Sequence, residues 1–129
     1  MKPLIALAAV AMAAACTAPP EPSGAELFAQ NCAQCHGTDA KGGAMANAPD
    51  LTTLATRHGG TFPAEYVMST IDGLSRENTH DPMPVFGKVL ERSDMEVWVD
   101  ENGTPTPTPG ALIRLAEYLE GLQEKTIRL

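Results

Sequence analysis

Three side chains able to bind a metal or a carbon skeleton crowd into one short stretch. In "NCAQCHGTDAKGG", Cys32, Cys35 and His36 run directly into Gly37. Thiols and an imidazole at this spacing serve three kinds of chemistry: a zinc ligand set, a redox-active dithiol, or the grip on a larger metal-bearing group. If a helix continues through the motif, Cys32 and Cys35 stand at i and i+3, and His36 at i+4 from Cys32. All three then project towards one face. Two sulfurs a turn apart reach one edge of a planar macrocycle while the imidazole reaches a metal at its centre.

That last arrangement is Cys-x-x-Cys-His, the attachment signature of c-type haem. The other two chemistries lack their companions. A structural zinc site needs four ligands, and no second Cys-x-x-Cys or His-x-x-x-His completes a tetrahedron. A thioredoxin-like pair calls for a strand–helix alternation, which this sequence does not show. The expected cofactor is therefore one covalent haem c with its iron.

The elements that must position the motif can be read in part. Ser23 and Glu26 form a capping-box pattern, so a helix is predicted from about Gly24 into the cysteines. Residues 37–50, with several glycines, Asn47 and Pro49, read as loop. A second helix is predicted over Pro63 to Asp72, with Thr61 as cap and Gly73 as stop. Ala64, Val67, Ile71 and Leu74 give it an apolar face. Residues 75–87, "SRENTHDPMPVFG", are rich in turn formers. Ser93 and Glu96 again suggest a capping box, yet "VWVDENGTPTPTP" holds an Asn-Gly turn between extended residues. A short helix followed by a hairpin near 97–106, and a loop throughout, both stay open. Thr108 and Pro109 suit the cap and first turn of a last helix, on which Leu112, Leu115, Ala116, Leu119 and Leu122 form one stripe. The chain is mainly helical.

From Gly24 to Leu122 the sequence resembles the small bacterial monohaem cytochromes c of class I. In that family a glycine four residues before an aromatic on the first helix packs against a Leu-x-x-Tyr pair on the last. Gly24 and Phe28, with Leu115 and Tyr118, match it. The resemblance implies a mainly α fold of roughly three to five helices around one covalent haem. It also implies an axial methionine in a Met-Pro-x-Phe loop, and Met83 in "DPMPVFG" stands there, its flanking Pro82 and Pro84 restricting the backbone. Met68 fits the apolar face of a helix instead, and Met45 lies too near the attachment motif. His80, three residues before Met83, is the rival ligand, with a surface role as the plainer alternative; His58 reads as a loop residue. The resemblance further implies that the second ring N–H of His36 is given to the carbonyl of Pro49 in "APDL". Arg57, Arg76 and Trp98 could each reach a haem propionate, and each has an equally plain packing role.

The rest of the chain bounds the setting. Met1-Lys2 and the apolar run to Ala15 match an export signal, and that run falls short of the roughly 20 residues a membrane-spanning helix needs. Cys16 follows small residues, as in the lipobox of bacterial lipoproteins, where the cysteine is acylated. Ordinary cleavage near "AAA" is the alternative. Residues 16–22, with "TAPPEP", form a proline-rich tether, which leaves a domain over 23–129. Sixteen acidic residues face nine basic ones. Such a surface repels nucleic acid and favours partners with basic docking patches. The few aromatics make a thin core that a bulky apolar cofactor would help to fill.

With iron bound on both sides, no position is open to substrate, so a periplasm-facing one-electron carrier, held to the membrane by lipid, is expected rather than an enzyme. A haem subunit docked on a dehydrogenase or oxidase stays open, and a sizeable exposed apolar patch would favour it. A gas or redox sensor also stays open, if Met83 exchanges with His80 or a small ligand.

Overall fold

The computed structural model describes residues 19–43, 45, 47–74 and 83–124. In order along the chain these form α1 (Gly24–Asn31), α2 (Ala33–His36), α3 (Leu54–Arg57), α4 (Ala64–Asp72), α5 (Gly87–Leu90), β1 (Met95–Val99), β2 (Pro105–Pro109) and α6 (Gly110–Gly121). The fold is mainly α, as expected, and carries one antiparallel hairpin.

The start of α1 is the capping box read from sequence. Glu26 N–H donates to the Ser23 hydroxyl at 3.3 Å, and Ser23 N–H donates to the Glu26 carboxylate at 2.8 Å. The helix is not continuous through the motif. Cys32 opens to φ −116°, and α2 resumes at Ala33. The helical spacing survives this kink, because His36 N–H still reaches Cys32 O at 3.0 Å.

Helix α6 packs against both α1 and α4. Its contact with α1 is close because Gly24 has no side chain. A Cβ there would overlap the Arg114 carbonyl oxygen and lie 2.7 Å from Tyr118 Cβ. The rings of Phe28 and Tyr118 stand 5.5 Å apart, and Phe28 and Leu115 are the largest fully buried side chains. On α6 the expected stripe is buried from Leu112 to Leu119, with Leu122 half-buried at its end. Helix α4 buries Val67, Met68 and Ile71 and ends on Gly73 at φ +90°, a left-handed stop that glycine adopts freely.

Some local expectations fail for tertiary reasons. Thr61 does not cap α4: Pro63 occupies the cap position and no side chain bonds there. Leu74 lies past the stop and is 81% exposed, so it leaves the apolar face. Thr108 does not cap α6; its hydroxyl turns to Thr106 O at 3.1 Å. The free Ala111 N–H is instead taken by the hydroxyl of Ser93 at 3.0 Å, a residue distant in sequence. Ser93 is thereby engaged away from Glu96, no helix forms there, and the undecided segment is a hairpin. It spans 95–109, longer than the 97–106 expected. The short helices α3 and α5 were not foreseen.

Two side chains tie the pieces together. The Arg114 guanidinium donates to Pro22 O, Glu96 and Glu21 at 3.0, 3.1 and 3.2 Å, joining α6 to the hairpin and the segment before α1. Gln123 donates to Leu51 O at 2.9 Å and accepts from Ala55 N–H at 2.8 Å, fastening the end of α6 to the chain just after Pro49 and Asp50.

Candidate haem-binding site

The glycines after the motif explain where His36 sits. Gly37, at φ +78°, ends α2 and turns the chain. Gly42 N–H then donates back to His36 O at 2.7 Å, and Met45 N–H to Cys35 O at 3.1 Å. Gly42, also at φ +78°, lies against the returning backbone: a Cβ would overlap Ala48 O and stand 3.1 Å from the Pro49 carbonyl carbon. This close approach brings the backbone of Ala48 and Pro49 against the turn and under the imidazole. Nδ1 of His36 donates to Pro49 O at 3.1 Å, with His36 only 8% exposed. A ring that donates from Nδ1 keeps Nε2 as a lone-pair donor, the tautomer an iron ligand requires.

The Pro49 carbonyl is itself fixed from below. The Asp50 carboxylate accepts the Thr52 N–H at 2.8 Å and its hydroxyl at 2.6 Å, and the Arg57 guanidinium donates to Asp50 O. The Thr52 hydroxyl holds the Asp50 carboxyl below the ordinary carboxylate range. Arg57 is thus employed at the backbone.

Cys32 is buried, Cys35 is half-buried, and the two are not joined to each other. Burial, with a smaller contribution from the neighbouring Cys35, pushes the Cys32 thiol up to about 11. The attacking thiol of a redox couple needs the opposite shift, towards thiolate, so Cys32 is not set up as such a nucleophile. Among the described residues no three His, Cys, Asp or Glu side chains gather as ligands for a bare ion. The donor set present is two neighbouring thiols and one pinned imidazole, which fits a porphyrin edge and its metal.

Met83 is half-buried and packs against the same apolar cluster that contains Cys32. Its segment is pressed along the end of α4. Phe86 N–H donates to Ile71 O at 3.0 Å, a Cβ on Gly73 would meet a Val85 methyl at 2.5 Å, and one on Gly87 would meet the Asp72 carboxylate at 2.6 Å. The other methionines go elsewhere: Met68 is in the core at 5% exposure, while Met45 and Met95 face solvent. His58 is exposed at the end of α3, donating to Leu54 O at 2.8 Å beside the Tyr66 ring. Trp98 is half-buried on β1 against the core. His80, Arg76, Pro82 and Cys16 lie outside the described residues.

A family model described as Cytochrome c matches residues 22–100. The chain belongs to the cytochrome c family. Membership implies a covalently bound haem c with iron, and Cys32 and Cys35 stand in the Cys-x-x-Cys-His order that goes with it. The chain is 48% identical over 50 residues, 39% of its length, to a protein named as the CcoP subunit of the cbb3-type cytochrome c oxidase of Rubrivivax gelatinosus. It is 50% identical over 38 residues, 30% of its length, to the protein of the same name from Rhodobacter capsulatus. These matches span 15% and 13% of the relatives, so the similarity is to one piece of much longer proteins. No solved structure shows a significant match. Among the described residues no helix is long and apolar enough to cross a membrane.

The parts of this site that sequence reading missed are supports. Gly42, Gln123 and the Arg57 bond to Asp50 O hold the carbonyl that meets His36. Only the glycines just after the motif signalled such close backbone contact in advance.

Proposed function

We propose that this cytochrome c is a one-electron carrier with its haem bonded through Cys32 and Cys35 and held axially by His36 and Met83. When bound, that group supplies a one-electron change between ferrous and ferric iron. The chain's own residues do the rest. Pro49 O accepts a hydrogen bond from the Nδ1–H of His36, which fixes the plane of the ring and presents Nε2. Met83, between Pro82 and Pro84, presents a thioether with little backbone freedom left to lose. A thioether favours the reduced state, and the surrounding apolar cluster lowers local polarity in the same direction. Ligation by both His36 and Met83 would leave the iron no coordination site for a substrate. The observation that carries this reading is the 3.1 Å hydrogen bond from buried His36 to Pro49 O, which prepares the imidazole next to two thiols as a ligand.

An optical spectrum of protein matured in a periplasm tests it. The ferric protein should show the far-red sulfur-to-iron band, and Met83→Ala should lose it. The reduced wild type should resist carbon monoxide, and the variant should bind it. A band that persists in the variant refutes Met83 ligation. Rapid carbon monoxide binding by the wild type points to a gas sensor.

A second reading has an observation in its favour. Leu74, Val89, Met95, Val97 and Val99 are all more than half exposed, and the relatives are named as oxidase subunits. A haem subunit docked on a larger oxidoreductase would cover such side chains. Protein extracted gently from its own membrane should then migrate as part of a larger complex, whereas a lone small species supports the free carrier.

The proposed setting is the periplasmic side of a bacterial membrane. Residues 1–15 would be the export signal, Cys16 the acylated N-terminus, 16–22 the tether and 23–129 the cytochrome domain. Partners would carry basic docking patches opposite its acidic surface. Mass spectrometry of the mature N-terminus decides the fate of Cys16.

A further inference from the structure

The hairpin has two unlike edges. Its register pairs Met95 with Pro109, Glu96 with Thr108, Val97 with Pro107, Trp98 with Thr106 and Val99 with Pro105. Two bonds just beyond it set the phase: Gly110 N–H donates to Asp94 O at 2.8 Å, and Asp100 N–H to Thr104 O at 3.1 Å. Bonded and non-bonded pairs alternate in an antiparallel ladder. The even-numbered residues therefore exchange the hydrogen bonds, and the odd-numbered ones turn their backbone polar groups outward. On β2 every outward position is proline, at 105, 107 and 109, so that edge has no N–H to offer. On β1 the outward positions are Met95, Val97 and Val99, whose N–H and C=O groups make no hydrogen bond with other described residues. Among the described residues, one edge is closed to strand pairing and the other is left open.

The faces are unusual in the same direction. On the even face Glu96 pairs with Arg114, Trp98 is half-buried and Thr108 is buried. The odd face holds Met95, Val97 and Val99, which are 58%, 67% and 55% exposed, beside the three prolines. A half-solvated sheet normally buries its apolar face and exposes its polar one. Here the apolar face is turned to solvent, next to the open edge.

We propose that the outer edge of β1 is a docking site for an extended segment of another protein, which adds as a third strand. Backbone pairing to Met95, Val97 and Val99 would give affinity, and alternate apolar side chains on the incoming strand would widen their stripe. Charge selects the occupant. In the segments just before and after β1, Glu91, Asp94, Asp100 and Glu101 outnumber the one cation, exposed Arg92, and the chain carries a net charge of −7, so a segment with Lys or Arg at its ends fits. A second copy fits poorly. Antiparallel pairing about Val97 would set Asp94 opposite Asp100 of the other chain at both ends. The proposal is independent of which residues bind the iron.

The test uses reduced holoprotein and two synthetic seven-residue peptides, Lys-Val-Thr-Val-Thr-Val-Lys and its Glu-ended counterpart. Before peptide is added, the amides of Met95, Val97 and Val99 should exchange with solvent much faster than those of Glu96 and Trp98. The Lys-ended peptide should protect them and bind more tightly than the Glu-ended one. Val97→Pro removes one outward donor without touching the ladder to β2 and should weaken binding about tenfold, the worth of one hydrogen bond. Val97→Thr keeps the donor and should bind like wild type. Odd amides already protected in the free protein, self-association through this edge, binding of neither peptide, equal binding of both, or equal binding by Val97→Pro would each overturn the proposal.

Discussion

Gly24→Ala adds one methyl group at the crossing of the first and last helices. The new carbon would overlap the Arg114 carbonyl oxygen and lie 2.7 Å from Tyr118 Cβ. Neither neighbour can rotate away, so the helices must separate and loosen Phe28, Tyr118 and Leu115, the centre of the core. Overpacking of this kind costs about 1–3 kcal/mol, with rigid backbone on one side arguing for the upper end. Alanine's better helix propensity returns at most about 1 kcal/mol. The net loss is about 2 kcal/mol, which lowers Tm by roughly 8–16 °C in a domain of this size. Gly121→Ala is the control, since a Cβ there meets nothing within 4 Å at the other end of α6. It gains propensity without collision and should leave Tm unchanged or raise it by a few degrees, about 0.5–1 kcal/mol at most. Thermal unfolding of both holoproteins, followed by far-ultraviolet circular dichroism, reads the difference. A Gly24→Ala protein as stable as wild type would refute the close crossing.

Two further predictions concern the site and its supports. Gly42→Val should destabilise the fold, because the residue sits at φ +78° and its Cβ would overlap Ala48 O. It should also weaken the His36 bond to Pro49, make the imidazole a poorer electron donor and raise the reduction potential, as a redox titration would show. Asp50 and Asp72 should respond to pH with opposite signs. Asp50 is held low by the Thr52 hydroxyl, so its contribution is present above the ordinary carboxylate pKa and is lost as pH falls through the lowered value. The Tm gap between wild type and Asp50→Ala should therefore close in acid. Asp72 is raised, first by burial and then by Glu91, so its contribution is present at low pH and is lost as pH rises through the raised value. Asp72→Asn should be the more stable protein near neutrality, with its advantage fading in acid.

The legible parts of this protein were those written in neighbouring residues. The attachment motif, the Ser23–Glu26 box, the Gly73 stop and the apolar stripe on α6 depend on positions a few residues apart, and the structure contains each of the last three as read. What sequence did not show depends on distant partners. Ser93 serves Ala111 rather than the start of a helix of its own, Arg114 gathers Glu21, Pro22 and Glu96, and Gln123 braces the segment beside Pro49. Thr61 and Thr108 had the right types for caps but not the right places. The hairpin was undecidable because its alternating Thr and Pro lack the buried alternation of an ordinary strand, its apolar face being turned outward. Gly24 lay between: its role came from resemblance, and the Arg114 and Tyr118 contacts supply the physical reason.

The most direct measurement is the mass of residues 31–41 as a peptide released from protein matured in a periplasm. One haem bonded to that peptide, still attached when either Cys32 or Cys35 alone is replaced by Ala and absent when both are, is the result this account predicts. An unmodified peptide, with both sulfurs open to alkylation after denaturation, would contradict it.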